Sequence, residues 1–220
     1  MATNHPSKQE LREDRFVEWI LETAEYVRAR SQVFTAGAVG VVVLIAGLAY
    51  FNKSQADARL EAAALLGEAM IADDNNQADE SIRLAEQLLK EYAGTPSAAQ
   101  GVLFLANRYF AQGRYGEAQK FYERYLSDYG DVDVLAFAAR NGLASCAEAQ
   151  GDYRQAASKF QDAAAASGGN TQGSLALLEA ARCYGLAGDT ASQKGILTQI
   201  TKEFSDSPAA VRAREELAML

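Results

Sequence analysis

His5 is the only histidine among 220 residues, and it sits in a polar N-terminal tail. The body of the chain therefore has neither a histidine general base nor a zinc set of His/Cys type. No Walker, Rossmann, GxSxG or HExxH pattern occurs, and the paired Gly168 and Gly169 of SGGN read as a loop rather than a phosphate cradle. Cys146 and Cys183 are the only thiols. They lie 37 residues apart, the same interval at which other stretches recur, so they occupy equivalent places on neighbouring helices. Packed helices stand about 8–10 Å apart, whereas a disulfide wants Cα atoms within about 7 Å, so two small buried thiols are expected. These residues predict no enzyme, no cofactor, no metal and no small-molecule substrate.

The elements that carry them repeat. AQGRY (111–115), AQGDY (149–153) and LAGDT (186–190) place glycines at 113, 151 and 188, spaced by 38 and 37. KEYAGTPSAA (90–99) is echoed by KEFSDSPAA (202–210), a second register with the same unit. Alanine is abundant, only three prolines occur, and long stretches lack β-branched alternation, so helix is expected nearly throughout. Each unit splits into two helices with the glycine in the turn, where a positive φ carries no Cβ penalty. Val102, Leu105, Ala106 and Tyr109 make one stripe, and Ala118 and Tyr122 follow the turn, with small residues at 106 and 118 for a close crossing.

This spacing resembles the tetratricopeptide repeat. The third unit matches with Leu143, Ala144, Ala156 and Phe160, but has Arg140 and Ala147 where bulk is expected; the fourth keeps Leu177, Ala181, Tyr184 and Leu197, with Gln193 in an alanine position. The first unit, near 54–95, is the most degenerate. Ser207 and Pro208 read as the N-cap and first position of a final helix that caps the stack. The resemblance implies that the residue after the pattern tyrosine, Phe110 in the second unit, faces a concave groove, together with Gln100, Leu103, Asn107, Asn141, Ser145, Glu148, Leu178 and Arg182. Of these only Arg182 is cationic, which disfavours capture of a partner's terminal carboxylates.

Residues 33–51 hold nineteen uncharged positions in an otherwise polar chain. At 1.5 Å per residue they make a helix of about 28 Å, matching a bilayer core of roughly 30 Å. Thirty-two residues of mixed charge precede the run, unlike the short basic leader of a cleaved signal, and no polar face suits it to a globular core. A retained transmembrane helix is expected, with Tyr50 and Phe51 at one interface. Before it, Phe16, Trp19, Ile20, Thr23 and Val27 fall at helical spacing and predict a short amphipathic helix, which either lies on the headgroups or docks on a membrane partner with Trp19 as its interface anchor, or else extends the membrane helix into solvent. Arg15, Arg28 and Arg30 before the span, against Lys53 and Arg59 after it, lean to a cytoplasmic N-terminus.

The expected organisation is all-α. Residues 1–32 form a tail and amphipathic helix, 33–51 a transmembrane helix, and 52–220 an α-solenoid of about four helical hairpins with a C-terminal capping helix. Most of the net charge of −8 follows the span, so nucleic acid, whose affinity rests on phosphate neutralisation, is excluded as a partner. The layout looks like the YfgM-like family of bacterial inner-membrane proteins. Membership would imply a single-pass protein with a periplasmic repeat domain that serves the Sec translocon as an ancillary subunit, binding a periplasmic chaperone or exported chains. A structural subunit of a respiratory or photosynthetic membrane complex is the alternative.

Overall fold

The computed structural model describes Trp19, Ile20, Glu22, Thr23, Tyr26, residues 28–130 and residues 133–220. Of the amphipathic pattern, Phe16 and Val27 lie outside the described residues, as does His5; the described positions Trp19, Ile20, Glu22, Thr23 and Tyr26 are helical. Nine helices can be delimited among the described residues: α1 (Ser31–Asp74), α2 (Ala78–Glu91), α3 (Pro96–Ala111), α4 (Tyr115–Asp128), α5 (Asp133–Ala149), α6 (Tyr153–Ala166), α7 (Thr171–Leu186), α8 (Thr190–Glu203) and α9 (Pro208–Met219). The chain is all-α, and it divides into two compact units, Met1–Asp57 and Ala58–Leu220.

In the first unit the apolar run lies within α1. The helix contains an 18-residue window of mean hydropathy 1.8, none of it buried, which is long and apolar enough to cross a membrane. Tyr50 and Phe51 are exposed on it, as is Trp19 upstream.

In the second unit the remainder of α1 and α2 make the first hairpin, α3 and α4 the second, α5 and α6 the third, α7 and α8 the fourth. Helices from α2 onward pack on their sequence neighbours, α5 also touches α3, and α9 lies on α8 and α7. The turns explain the hairpins. Gly113, Gly151 and Gly188 take φ values of 75°, 84° and 71°, and the first hairpin turns at Asn76 with φ 59°. Asparagine is the side chain that most readily accepts the left-handed region, so the degenerate first unit keeps the turn without its glycine.

Helix starts are fixed by side-chain caps. Thr95 Oγ1 accepts from the Ala98 N–H at 3.2 Å, with Pro96 at the first helical position, and Ser207 Oγ accepts from Ala210 N–H at 3.1 Å before Pro208. Each such cap contributes about 1 kcal/mol. Ala106 and Ala118 are fully buried at the α3–α4 crossing. The Tyr109 ring stacks on Phe121 at 5.4 Å, and its hydroxyl donates to Glu86 at 2.8 Å.

The irregular positions are absorbed by exchanging volume between partners. Gln193, in an alanine position on α8, packs where a Cβ on Gly185 of α7 would come within 3.0 Å of its amide. On α5, Gly142 leaves room for the Tyr122 ring of α4, which a Cβ would strike. The ring is 5% exposed, and burial pushes its hydroxyl up to about 12. Fully buried Leu88, Leu105, Tyr125, Leu197 and Ile200 continue the core from hairpin to hairpin, each leucine or isoleucine worth about 1.5–3 kcal/mol of burial.

Candidate protein-binding face

The first helices of the second to fourth hairpins, α3, α5 and α7, carry the residues expected to line a groove. Along them the sequence-predicted groove residues have unequal fates. Leu103 and Leu178 are buried, at 8% and 7% exposure, and belong to the core clusters. Both keep little open surface along their helices. Gln100 and Asn107 are exposed, while Phe110, Asn141, Ser145 and Glu148 are half-buried.

Asn107 is partly committed, since its Oδ1 accepts from the Tyr122 hydroxyl at 2.6 Å. This leaves the amide N–H groups to address a bound chain. Phe110 packs obliquely on Tyr115, ring centroids 5.3 Å apart, and borders the core of the second hairpin. One part of its ring thus stabilises the hairpin turn and another part is open. Asn141 Oδ1 is buried without a hydrogen-bond partner, an acceptor of the kind whose desolvation costs about 1–3 kcal/mol until it is satisfied.

Arg182 is the most constrained of the set. Its guanidinium donates through Nη1 and Nη2 to both oxygens of Glu148, at 2.7 and 2.6 Å, and through Nε to Glu179 at 2.7 Å. The arginine holds the Glu148 carboxyl below the usual carboxylate range, and the carboxylates raise the arginine in turn. Two carboxylates of its own chain therefore occupy the one cation expected on this face, so it links α5 to α7. A second link joins the first two hairpins: Arg108 Nη1 donates to both Asp73 oxygens, at 2.6 and 2.8 Å. Sequence reading missed both links. Their signal was an acid and an arginine 34 or 35 residues apart, slightly under one repeat.

Cys146 and Cys183 are free and buried. Burial pushes both thiols up to about 11, and Cys183 Sγ lies 3.8 Å from Glu148 Oε2. Gly168 and Gly169 border a cleft of about 460 Å³ between α6 and α8, which Asp162 and Glu203 also line. Two carboxylates there would repel phosphate. Among the described residues no three His, Cys, Asp or Glu side chains converge as a metal site.

A family profile for a tetratricopeptide repeat-like domain matches residues 25–167, well over half the chain. The chain belongs to that family. The match takes in α1 and the first three hairpins and stops before the fourth, which the structure shows to be one more tetratricopeptide-like hairpin of the same build. Among curated proteins no sequence match was found. Solved structures with the same fold include a Podosopora anserina chain of the kinesin light chain kind with nearly identical TPR-like repeats. It has 21% identity and a TM-score of 0.55, covering 71% of this chain and 83% of that one. BtubC (BKLC) from P. vanneervenii is another, with 16% identity and a TM-score of 0.56 over 66% of this chain and 63% of that one. At such identities the likeness is one of fold.

Proposed function

We propose that this tetratricopeptide-like protein is a membrane-anchored scaffold that holds protein partners on the first-helix face of its repeats. The observation that carries the reading is the juxtaposition of two features in one chain. One is a stack of hairpins whose first helices leave Asn107 exposed and Phe110, Asn141 and Ser145 half-buried; the other is an exposed apolar helix of spanning length. Leu103 and Leu178 form the floor, and Arg182, held by its carboxylates, sets the spacing of α5 and α7. Residues 33–51 are the anchor, with Trp19, Tyr50 and Phe51 at the headgroups. The weak excess of arginine before the span favours a cytoplasmic N-terminus and an extracytoplasmic repeat domain in a bacterial inner membrane.

Within that class we assign an ancillary role at the Sec translocon, with a periplasmic chaperone or exported chains on the face. The support is the layout of amphipathic segment, single span and acidic repeats. Purification of the full-length protein from membranes in mild detergent, followed by mass spectrometry, tests it. Translocon and chaperone peptides are the expected result. Recovery of a cofactor-bearing respiratory or photosynthetic complex instead would replace the assignment with a structural accessory role.

A further inference from the structure

Every first helix after α1 turns one face toward the second helix of the hairpin before it. A Cβ on Gly101 of α3 would come within 2.8 Å of Leu88 in α2, and one on Gly142 of α5 would strike Tyr122 in α4. Counting back from the turn residues Gly113 and Asn76, Gly101 corresponds to Ala64 and Phe104 to Gly67. The equivalent face of the first hairpin thus carries Leu60, Ala63, Ala64, Gly67, Met70 and Ile71, and it is open. Leu60, Met70 and Ile71 are 70%, 51% and 61% exposed, and nothing lies within 4 Å of a Cβ placed on Gly67. At the other end of the stack α9 buries Ala209, Ala210 and Ala213 and turns Arg212, Arg214 and Glu215 outward beside exposed Val211.

We propose that this open face is a self-association surface, on which α1 of a second copy packs parallel and in register. The inference rests on the membrane-anchored reading of residues 33–51. The face has the form of a helix seat, with small Ala63, Ala64 and Gly67 in the middle, where two backbones can approach, and larger Leu60, Met70 and Ile71 toward its ends. No charged residue falls among these six, but exposed Glu68 borders them on one side, next to Glu61, which accepts from the Tyr92 hydroxyl at 2.8 Å.

The size of the face selects the occupant. Six side chains on one helix bury far less than the ~1,200 Å² at which stable soluble complexes begin, so a freely diffusing partner would not be held. A second anchored copy needs less, because tethering makes the encounter nearly intramolecular. Leu60 follows Phe51 by nine residues, a reach of at most about 30 Å, so each copy anchored in one bilayer carries this face within that distance of its own span. An antiparallel or untethered helix gains neither advantage.

Cysteine cross-linking in native membranes tests the proposal with the full-length chain. Leu60→Cys, Ala64→Cys and Gly67→Cys are oxidised one at a time with copper phenanthroline, with Lys120→Cys, on α4, as the collision control. The native cysteines are buried and serve as the common background. A cross-linked species of twice the chain mass is expected from at least one of the three face positions and not from the control. It should be lost when Gly67→Arg is added to Leu60→Cys or Ala64→Cys, a change that the open space at Gly67 tolerates without unfolding the chain. Face cysteines that cross-link no more than the control, or that join a polypeptide of different mass, would overturn it. Carbonate extraction of the same membranes separates the two readings. Release of the protein would defeat the anchor while a face-specific dimer still upheld the pairing; retention without a dimer would defeat the pairing alone.

Discussion

Alanine substituted for glycine should act with opposite sign at two helical positions of this chain. In an open helix interior, the exchange stabilises by about 0.5–1 kcal/mol, because glycine loses more backbone freedom on folding. Gly67 is such a position, with no atom within 4 Å of the added Cβ. At Gly142 the added carbon lies 2.6 Å from Tyr122 Cε2 and closer still to two other ring carbons. The ring cannot swing away freely, since it is 5% exposed and its hydroxyl is tied to Asn107 at 2.6 Å. Relief requires breaking that bond or moving α4 off α5, and overpacking of this kind costs about 1–3 kcal/mol. Set against the helix gain, Gly142→Ala should destabilise by about 0.5–2 kcal/mol. For a unit of this length, each kcal/mol shifts Tm by about 2–4 °C. Circular dichroism melts and urea titrations of residues 54–220, which contain the whole core of the second unit, give the readout. A rise in Tm at Gly67 and a fall at Gly142 are expected. Equal rises at both would show that Tyr122 does not pack on Gly142 and that the register between the second and third hairpins is wrong.

Glu148 should give the stack an acid-sensitive link. Its carboxyl is held below the ordinary value of 4.5, first by the hydrogen bonds from Arg182. A depressed folded value means that the stabilisation is complete above the unfolded value and is lost as pH falls through the folded one. Arg182→Gln should therefore cost about 1 kcal/mol at neutral pH, discounted for partial exposure, and flatten the loss of stability on acidification in urea titrations at stepped pH. Phe110→Ala should weaken recovery of the co-purifying partner and also lower Tm by a few degrees, because the ring packs on Tyr115 as well as facing outward; an unchanged Tm would remove Phe110 from the hairpin's packing. Cys146 and Cys183 should resist iodoacetamide in the native protein at neutral pH and react on unfolding, since both are buried with thiols pushed up to about 11; rapid native labelling, followed by mass spectrometry, would contradict their placement.

The repeat was legible because turn chemistry is local. Gly113, Gly151 and Gly188 sit where positive φ is required, and a Ser–Pro or Thr–Pro pair opens a helix wherever it stands. The first hairpin was harder to read because Asn76 supplies the same φ with a different side chain. What the sequence could not reveal depends on two elements meeting. Gln193 looked like a departure from pattern until Gly185 was found opposite it, and Gly142 carried no signal until Tyr122 was placed against it. The burial of Leu103 and Leu178 could not be read from position within the repeat, because a rotation of a fraction of a helical turn decides whether such a leucine faces solvent or a neighbouring helix. The Arg182–Glu179 pair is local to one helix, whereas the bidentate partner Glu148 lies on α5 and is invisible until α5 and α7 are placed together.

The claim that the first-helix face receives protein partners at the membrane is tested most directly by site-specific photo-crosslinking in intact cells. A photoreactive residue is placed at Phe110 or Ser145 on the face and, separately, at Lys120 on α4, and adducts are identified by mass spectrometry. Specific adducts to a protein partner from Phe110 and Ser145, absent from Lys120, are the expected result. Adducts from Lys120 with none from the face would contradict the account and move the partner surface to the second helices.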